Sequence, residues 1–268
     1  MTFSKITYEL DGAVAIITIA DPATMNAAGI DTTKELLLAF EKAGNEARCT
    51  ILTGEGRGFC SGANLGPTQA SADSAPKGEN MGAFDAGAAL DSVYHPLIIA
   101  MKEHPHPIVT AINGAAAGVG CSIALMGDII ICAESGYFLQ AFRRIGLVPD
   151  GGSSYLLPRL IGRARAAEMM LMGEKVKSAQ ALEWGMVNRV VGDNELMSVA
   201  REFADKLAAG PTKALAMTKD LIWDSADNSF QEQVHAERTA QRIAGRSSDF
   251  REGVAAFLEK RPTKFTGE

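Results

Sequence analysis

The chain is expected to be an α/β protein, and three features of the sequence say so. An apolar hairpin opens it, a strand–loop–helix rhythm fills its middle, and its last quarter is helical in pattern almost throughout. Ile6–Leu10 and Ala13–Ala20 are β-branched apolar runs separated by Asp11-Gly12, a strong hairpin signal. Thr32–Ala47 carries Leu36, Leu37, Phe40 and Ala43 at helical spacing, and Thr50–Thr53 reads as a short strand ending at Gly54-Glu55-Gly56. A polar Gly/Ser/Ala-rich stretch runs on to about Gly82 and reads as a loop, after which Gly87–Lys102 returns to helix. Ile108–Ile112, Val119–Met126 and Ile129–Ala133 then give strand, helix, strand, the signature of a parallel sheet faced by helices. Helices follow through Gly152–Leu160 and Ala164–Met172. From Glu195 onward the pattern is helical, broken at Gly210-Pro211, and Phe250–Lys260 carries Val254, Phe257 and Leu258 on one side. The expected organisation is an α/β core over residues 1–195 and a helical C-terminal region over 196–268.

Composition bounds the function. With 268 residues and 47% hydrophobic content the chain can bury a sizeable core. A net charge of −6 provides no general attraction to nucleic acid or anionic lipid, so neither is an expected partner. Cys49, Cys60, Cys121 and Cys132 form no CxxC pair and no zinc-spaced cluster with histidine, which fits reduced thiols in a cytoplasmic protein. The N-terminus lacks a signal-peptide pattern. The uncharged run from Pro107 to Met126 is interrupted by Asn113, Gly114, Gly118 and Gly120, and it reads as a buried strand followed by a helix rather than a membrane span. His104 and His106 have no third ligand nearby in sequence and read as loop histidines, so no metal is expected. Met169, Met170 and Met172 read as core packing. Arg143 and Arg144 are expected beside a pocket strand, at most one pointing inward, the rest solvated or paired with acids.

Two Gly-containing loops carry the chemical signal. Gly58-Phe59-Cys60-Ser61-Gly62-Ala63-Asn64-Leu65 follows one strand, and Asn113–Cys121 follows another and opens a helix. Unpaired N–H groups at a helix N-terminus suit an oxyanion, and small residues let a ligand approach the backbone. Neither loop matches GxxxxGK[ST] or GxGxxG, which disfavours a nucleotide-phosphate site.

The ordered segments ILTGEGRGFCSGANL, PHPIVTAINGAAAGVGCSIALMGDIIICAES and FRRIGLVPDGGSSYLLPRLIG closely resemble the crotonase superfamily, the enoyl-CoA hydratase/isomerase family. The likeness continues through GRARAAEMMLMGEKVKSAQALEWGMVNRVV and covers nearly the whole chain. It implies a ClpP/crotonase-like fold of repeated ββα units and an acyl-CoA thioester substrate. It implies no cofactor beyond the coenzyme A carried by that substrate, and assembly as a homotrimer or a dimer of trimers through the C-terminal helices. By resemblance, the backbone N–H groups of Ala63 and Val119 form an oxyanion hole. Coenzyme A lies along Ala23, Thr24, Met25, Ala63, Asn64 and Leu65, with Phe257 and Lys260 reaching it, commonly from a neighbouring subunit.

The reaction is less plain, because the two glutamates of the usual hydratase pattern fall on Ser122 and Phe142, neither of which is a base. Asp150 remains, at a position matching the catalytic carboxylate of several family isomerases, most nearly the 1,2-epoxyphenylacetyl-CoA isomerase type. A carboxylate in an apolar pocket becomes a better base near neutral pH; the competing reading of Asp150 is a plain helix cap. His95 is the second candidate, since a similar His with this Asp occurs in 4-chlorobenzoyl-CoA dehalogenase. The pocket floor is expected near Ser71–Ala89 and Phe142. A double-bond or ring isomerase is the leading expectation. Hydratase or dehalogenase-like chemistry is the alternative, and a non-catalytic acyl-CoA-binding or RNA-associated homologue the reading from another class.

Overall fold

A computed structural model describes residues 2–64 and 87–268 of the chain. Leu65 and the polar stretch over 66–86, including most of the expected pocket floor, lie outside the described residues. The opening hairpin forms as the Asp11-Gly12 turn suggests: β1 (Ile6–Asp11) pairs antiparallel with β2 (Val14–Ile19). After α1 (Ile30–Glu46), the chain repeats one unit, a strand in a large sheet followed by a short strand in a small one. The pairs are β3 (Cys49–Gly54) with β4 (Gly58–Cys60), β5 (Ile108–Ile112) with β6 (Ala115–Ala117), and β7 (Ile129–Ala133) with β8 (Tyr137–Leu139). Each pair leads to a helix: α2 (His95–Lys102), α3 (Val119–Ala124) and α4 (Ser153–Met172). β9 (Lys175–Lys177), α5 (Ser178–Glu183) and β10 (Arg189–Val191) complete the series. The large sheet runs β1-β2-β3-β5-β7-β10, parallel apart from the hairpin, and the small one β4-β6-β8-β9. This is the expected repeated ββα architecture.

Burial on both faces explains the unbroken apolar strands. In β5, Ile108 and Ile112 face one core with Leu36, Phe40, Leu97 and Phe138, whereas Val109 and Ala111 face the opposite side with Ile51 and Ile131. That second core is closed by α6 (Leu196–Ala208), whose Leu196, Ala200, Ala204 and Ala208 recur every fourth residue along one stripe. Alanine at three of those positions lets the helix axis lie close to the sheet. The first helix of the C-terminal region thus belongs to the same core as the strands. α7 (Thr212–Asp224), α8 (Phe230–Ala244) and α9 (Ser248–Glu259) follow. α8 opens with a capping box between Ser229 and Glu232. The two helices expected over Gly152–Leu160 and Ala164–Met172 meet at Gly162, whose φ of +78° and ψ of 156° break the run inside α4.

Several side chains sit differently from expectation. Arg143 and Arg144 lie on a 3-10 turn, Phe142–Ile145, not beside a strand. They donate to the carbonyls of Met172 and Gly173 at the end of α4, where a helix offers unpaired acceptors to cations. Met169 is core, Met170 packs against it, and Met172 is half exposed. His104 and His106 are in a loop but buried, edge to face with each other. His104 contacts Thr50 Oγ1 and His106 the carbonyl of Ala43. Burial, then the neighbouring His106, hold the His104 ring down to about 2, so it stays neutral. All four cysteines are free and buried. Among the described residues no helix is long and apolar enough to cross a membrane, and no His/Cys/Asp/Glu group of three or more is placed to hold a metal.

One buried ion pair ties the C-terminal helices to the sheet. Lys219 Nζ on α7 lies 3.1 Å from Asp128 Oδ2 and 3.1 Å from the Met101 carbonyl, and the same carboxylate accepts the Ile108 N–H at 2.7 Å. Removing one partner leaves the other charge buried alone, at a cost of about 3–5 kcal/mol. Lys219→Met is therefore expected to lower the denaturant midpoint of unfolding well beyond the effect of a surface Lys→Met control; an unchanged midpoint would show that the pair contributes nothing.

Candidate active site

The site is assembled at the C-terminal ends of β4, β6 and β8, three adjacent parallel strands of the small sheet. Each strand ends in a loop that turns toward the same point. The first, Ser61–Asn64, is fastened to the segment after β2: Ser61 N–H donates to the Met25 carbonyl, Ser61 Oγ to the Thr24 carbonyl, and Ala28 N–H to the Gly62 carbonyl. Ala28 and Ala63 pair as a single parallel bridge. Thr24, Met25 and Ala63 are exposed along this edge, with Ala23 beside them and Asn64 partly covered. The expected coenzyme A residues within the described chain, C-terminal helix excepted, are thus contiguous.

What fixes that edge is Asn26, which was not legible as a site residue. It is wholly buried with φ of +59°, and its side chain takes the place of missing backbone partners. Oδ1 accepts the Asp21 N–H at 3.0 Å, while Nδ2 donates to the carbonyls of Glu55 and Gly58 at 2.9 and 2.6 Å. Asn tolerates the left-handed region and bonds locally, so its place after Asp-Pro was the available signal.

The second loop turns at Gly118, whose φ of +53° and ψ of −130° suit glycine alone, and delivers Val119 as the first residue of α3. A Cβ on Gly62 would stand 2.9 Å from the Ala117 carbonyl oxygen and 3.7 Å from Gly118 Cα, so the two loops touch backbone to backbone. A Cβ on Gly120 would stand 2.3 Å from the Cys60 carbonyl oxygen, so α3 also lies directly on β4. The residues that follow the two touching glycines are Ala63 and Val119. Neither N–H donates a hydrogen bond among the described residues. Two free donors side by side, one of them at a helix N-terminus, suit a developing negative charge on one oxygen.

The third loop, after β8, carries Phe142 and Asp150. Phe142 is buried in its 3-10 turn. Asp150 does not cap α4: the N-cap is Gly152, in the left-handed region, with no side-chain bond to the helix. The Asp150 main-chain carbonyl meets the helix start instead, accepting Ser153 N–H at 3.1 Å and Ser153 Oγ at 2.9 Å. Its carboxylate is free, with Oδ1 buried and unpartnered among the described residues. Burial pushes the Asp150 carboxyl up to about 6, against a lowering pull from His95. The turn rests on α3, since a Cβ on Gly151 would stand 2.8 Å from Ser122 Cβ and 3.3 Å from Val119 Cγ2.

The wall opposite is a π-helical turn, Leu90–Tyr94, running into α2. Such turns are uncommon and gather at functional sites; nothing in the sequence pattern separates this one from ordinary helix. Tyr94 is buried and donates to the Ala28 carbonyl at 2.7 Å. Its hydroxyl is pushed up to about 12 by burial and then by the Asp150 charge, so it remains a donor wherever Asp150 titrates. His95 opens α2, half exposed, with Nδ1 3.1 Å from Asp91 Oδ1. Three residues on, Ile98 lies 3.8 Å from where a Gly152 Cβ would be, which places this helix face against the Asp150 turn. Phe257 and Lys260 are elsewhere. Phe257 is 82% exposed and lines a groove of about 610 Å³ between α7, α8 and α9, none of whose lining residues belongs to the loops above.

The chain is similar to known proteins in sequence and in fold. The family model described as enoyl-CoA hydratase/isomerase matches residues 9–268. A "Probable enoyl-CoA hydratase" of Rhodobacter capsulatus is 42% identical over the full length of both chains. The 1,2-epoxyphenylacetyl-CoA isomerase of Escherichia coli is 44% identical over 82% of each. Among solved structures, an enoyl-CoA hydratase from Polaromonas superposes with a TM-score of 0.87 at 32% identity, covering 97% of this chain and 99% of that one. An enoyl-CoA hydratase/isomerase from Cupriavidus metallidurans does so at 0.89 and 27% identity, covering 100% and 98%. The chain has the crotonase fold and belongs to the enoyl-CoA hydratase/isomerase family.

Proposed function

We propose that this acyl-CoA enzyme is an isomerase that moves a double bond, or rearranges a ring, through a thioester enolate, with Asp150 as its single acid/base. The observation that carries the reading is the Asp150 carboxyl, raised to about 6, unpartnered at Oδ1, and set on a turn in contact with Val119. The Ala63 and Val119 N–H groups hold the thioester oxygen. Asp150 takes a proton from the carbon next to the thioester, and the electron pair moves onto that oxygen. When the pair returns, the carboxylic acid gives the proton to a carbon further along the chain. No external water is consumed and no cofactor beyond the chain and the thioester is called for. Ser122 and Phe142, at the positions of the usual glutamates, offer no second carboxylate to deliver water. A second reading, hydration or hydrolysis with His95 activating water, is favoured only by the His95–Asp91 contact. The likeness to a 1,2-epoxyphenylacetyl-CoA isomerase supports the first.

Four measurements test it. Incubated with 3-enoyl-CoA, the protein is expected to generate the absorbance of the conjugated thioester, while crotonyl-CoA stays unhydrated; rapid loss of crotonyl-CoA favours the second reading. Asp150→Asn is expected to lower kcat by about 10²–10⁴ with acyl-CoA affinity preserved, and unchanged turnover overturns the base assignment. The wild-type kcat/KM is expected to rise through pH about 6 and level above it, because the base must be ionised. The stability sign is opposite. A carboxyl raised on folding contributes stability below its unfolded value near 3.8, and that contribution is lost as pH rises through about 6. Asp150→Asn should therefore unfold at a higher temperature than wild type near neutral pH, the gain vanishing toward about pH 4.

The chain is further proposed to assemble as a homotrimer or a dimer of trimers through its C-terminal helices, with Phe257 and Lys260 reaching coenzyme A on a neighbouring subunit. Support comes from the exposed Phe250, Val254, Phe257 and Leu258 on α9, which line a groove that none of the loop residues above joins. Sedimentation is expected to give three or six times the 28.3 kDa chain mass, and a monomer would overturn this.

A further inference from the structure

We infer that Ser122 is the positioning residue that docks the Asp150 turn onto the helix of the oxyanion hole. The inference rests on the isomerase reading above and adds a residue to it. Ser122 lies one turn after Val119 on α3, is wholly buried, and its Oγ donates to the Asp150 carbonyl at 2.8 Å. That carbonyl accepts three bonds, and the other two come from Ser153, three residues along the same turn. Ser153 therefore shapes the turn, and its hydroxyl also reaches Gln140 Oε1 at a long 3.4 Å on the segment that leads into it. Among the described residues, Ser122 is the one that bonds this carbonyl from another element, the one that carries the Val119 N–H.

Space is as tight as the bond. A Cβ on Gly151 would already stand 2.8 Å from Ser122 Cβ, so a glycine and a small hydroxyl face each other across the contact. The turn can close on α3 only because both are small. A longer side chain at 122 would push it away, and an apolar one of serine's size would leave the hydroxyl bond unmade. Closure also sets the environment of the carboxylate. The ionisable groups that register at Asp150 are His95 from α2 and Tyr94 from the π-helical turn, while Arg143 and Arg144 are engaged at the far end of α4. Burial dominates, so a turn that backs off from α3 admits water, and the acidic limb of the rate profile moves down. Ser122 thus fixes two things together, the distance from base to hole and the basicity of the base.

The test uses the full-length protein, 3-enoyl-CoA turnover and pH profiles of kcat/KM. Ser122→Ala is expected to lower kcat at least tenfold with KM changed less than about twofold, since misplacement of a reacting group by an ångström costs up to about 10²-fold. Its acidic limb is expected to shift from about 6 toward the ordinary carboxylate range. Ser122→Ala removes the hydroxyl while keeping the contact small, so a wild-type rate and limb in that variant would show that packing alone holds the turn and would overturn the inference. Ser153→Ala is expected to leave the limb in place. Combined with Asp150→Asn, Ser122→Ala should add no further loss, because it acts through that carboxylate; additive losses would overturn the inference. Full turnover in Asp150→Asn alone defeats the isomerase reading itself. An inactive Asp150→Asn beside a Ser122→Ala of normal rate and limb defeats only the role of Ser122.

Discussion

The contact between Gly62 and Gly118 is the constraint on which the site depends. Two loops leave neighbouring parallel strands and meet with no side chain between them, at separations that a Cβ on Gly62 would violate. Contact at that range aligns the next peptide on each side, so Ala63 and Val119 follow without further adjustment. Positive φ at both glycines turns each chain sharply enough for the following N–H to stay outside the sheet ladder. Hydrogen bonds around the pair hold each loop in its own place. Gly118 N–H donates to the Leu139 carbonyl, Ala28 N–H to the Gly62 carbonyl, and Tyr94 fastens the far side of Ala28.

The large sheet and its helices serve this arrangement by making the small sheet rigid. Strands β3, β5 and β7 are buried on both faces, and each feeds its short partner after a brief turn. The three loops that matter therefore start from strand ends held in fixed register. Catalytic groups placed this way gain precision that a free loop would not give them. The same logic explains why Asn26 is buried and fully bonded although it lies beside the exposed Met25: it anchors a turn whose backbone would otherwise lack partners.

Most of the fold was legible because its signals are local or periodic. Asp11-Gly12 marked the hairpin, apolar runs marked the doubly buried strands, and the helical pattern from Glu195 onward marked the C-terminal helices. The loops with Gly62 and Gly118 were also visible, though that they touch depends on sheet order, which no local pattern encodes. Other features were silent for physical reasons. A π-helical turn has the same apolar spacing as an α-helix over a few residues. Arg143 and Arg144 find carbonyls at the end of α4, a partner that sequence proximity does not reveal. Burial of His104 and His106 is set by α1 and β3, which are distant in the chain. The environment of Asp150 likewise arises from residues on three separate elements, so the sequence could place a carboxylate there but not say how basic it is.

A single carboxylate is a coherent solution if the Ala63 and Val119 N–H groups act as the proposed oxyanion hole. In the proposed reaction the charge leaves carbon for the thioester oxygen, where two fixed N–H dipoles meet it in a site that needs little reorganisation. The base then has only to be strong enough for a proton already acidified by the thioester, and it must give that proton back. A carboxyl near its ordinary value would hold the proton too weakly to take it, whereas one raised far above neutrality would stay protonated. Burial without a bonding partner at Oδ1 sets Asp150 between these limits. Hydration would need a second group to bind and direct water, and the two positions from which it would come are occupied by a hydroxyl engaged with the Asp150 turn and a buried phenyl ring. Ser122 and Phe142 thus leave Asp150 as the single carboxylate at these positions, in keeping with the one-base chemistry proposed for this chain.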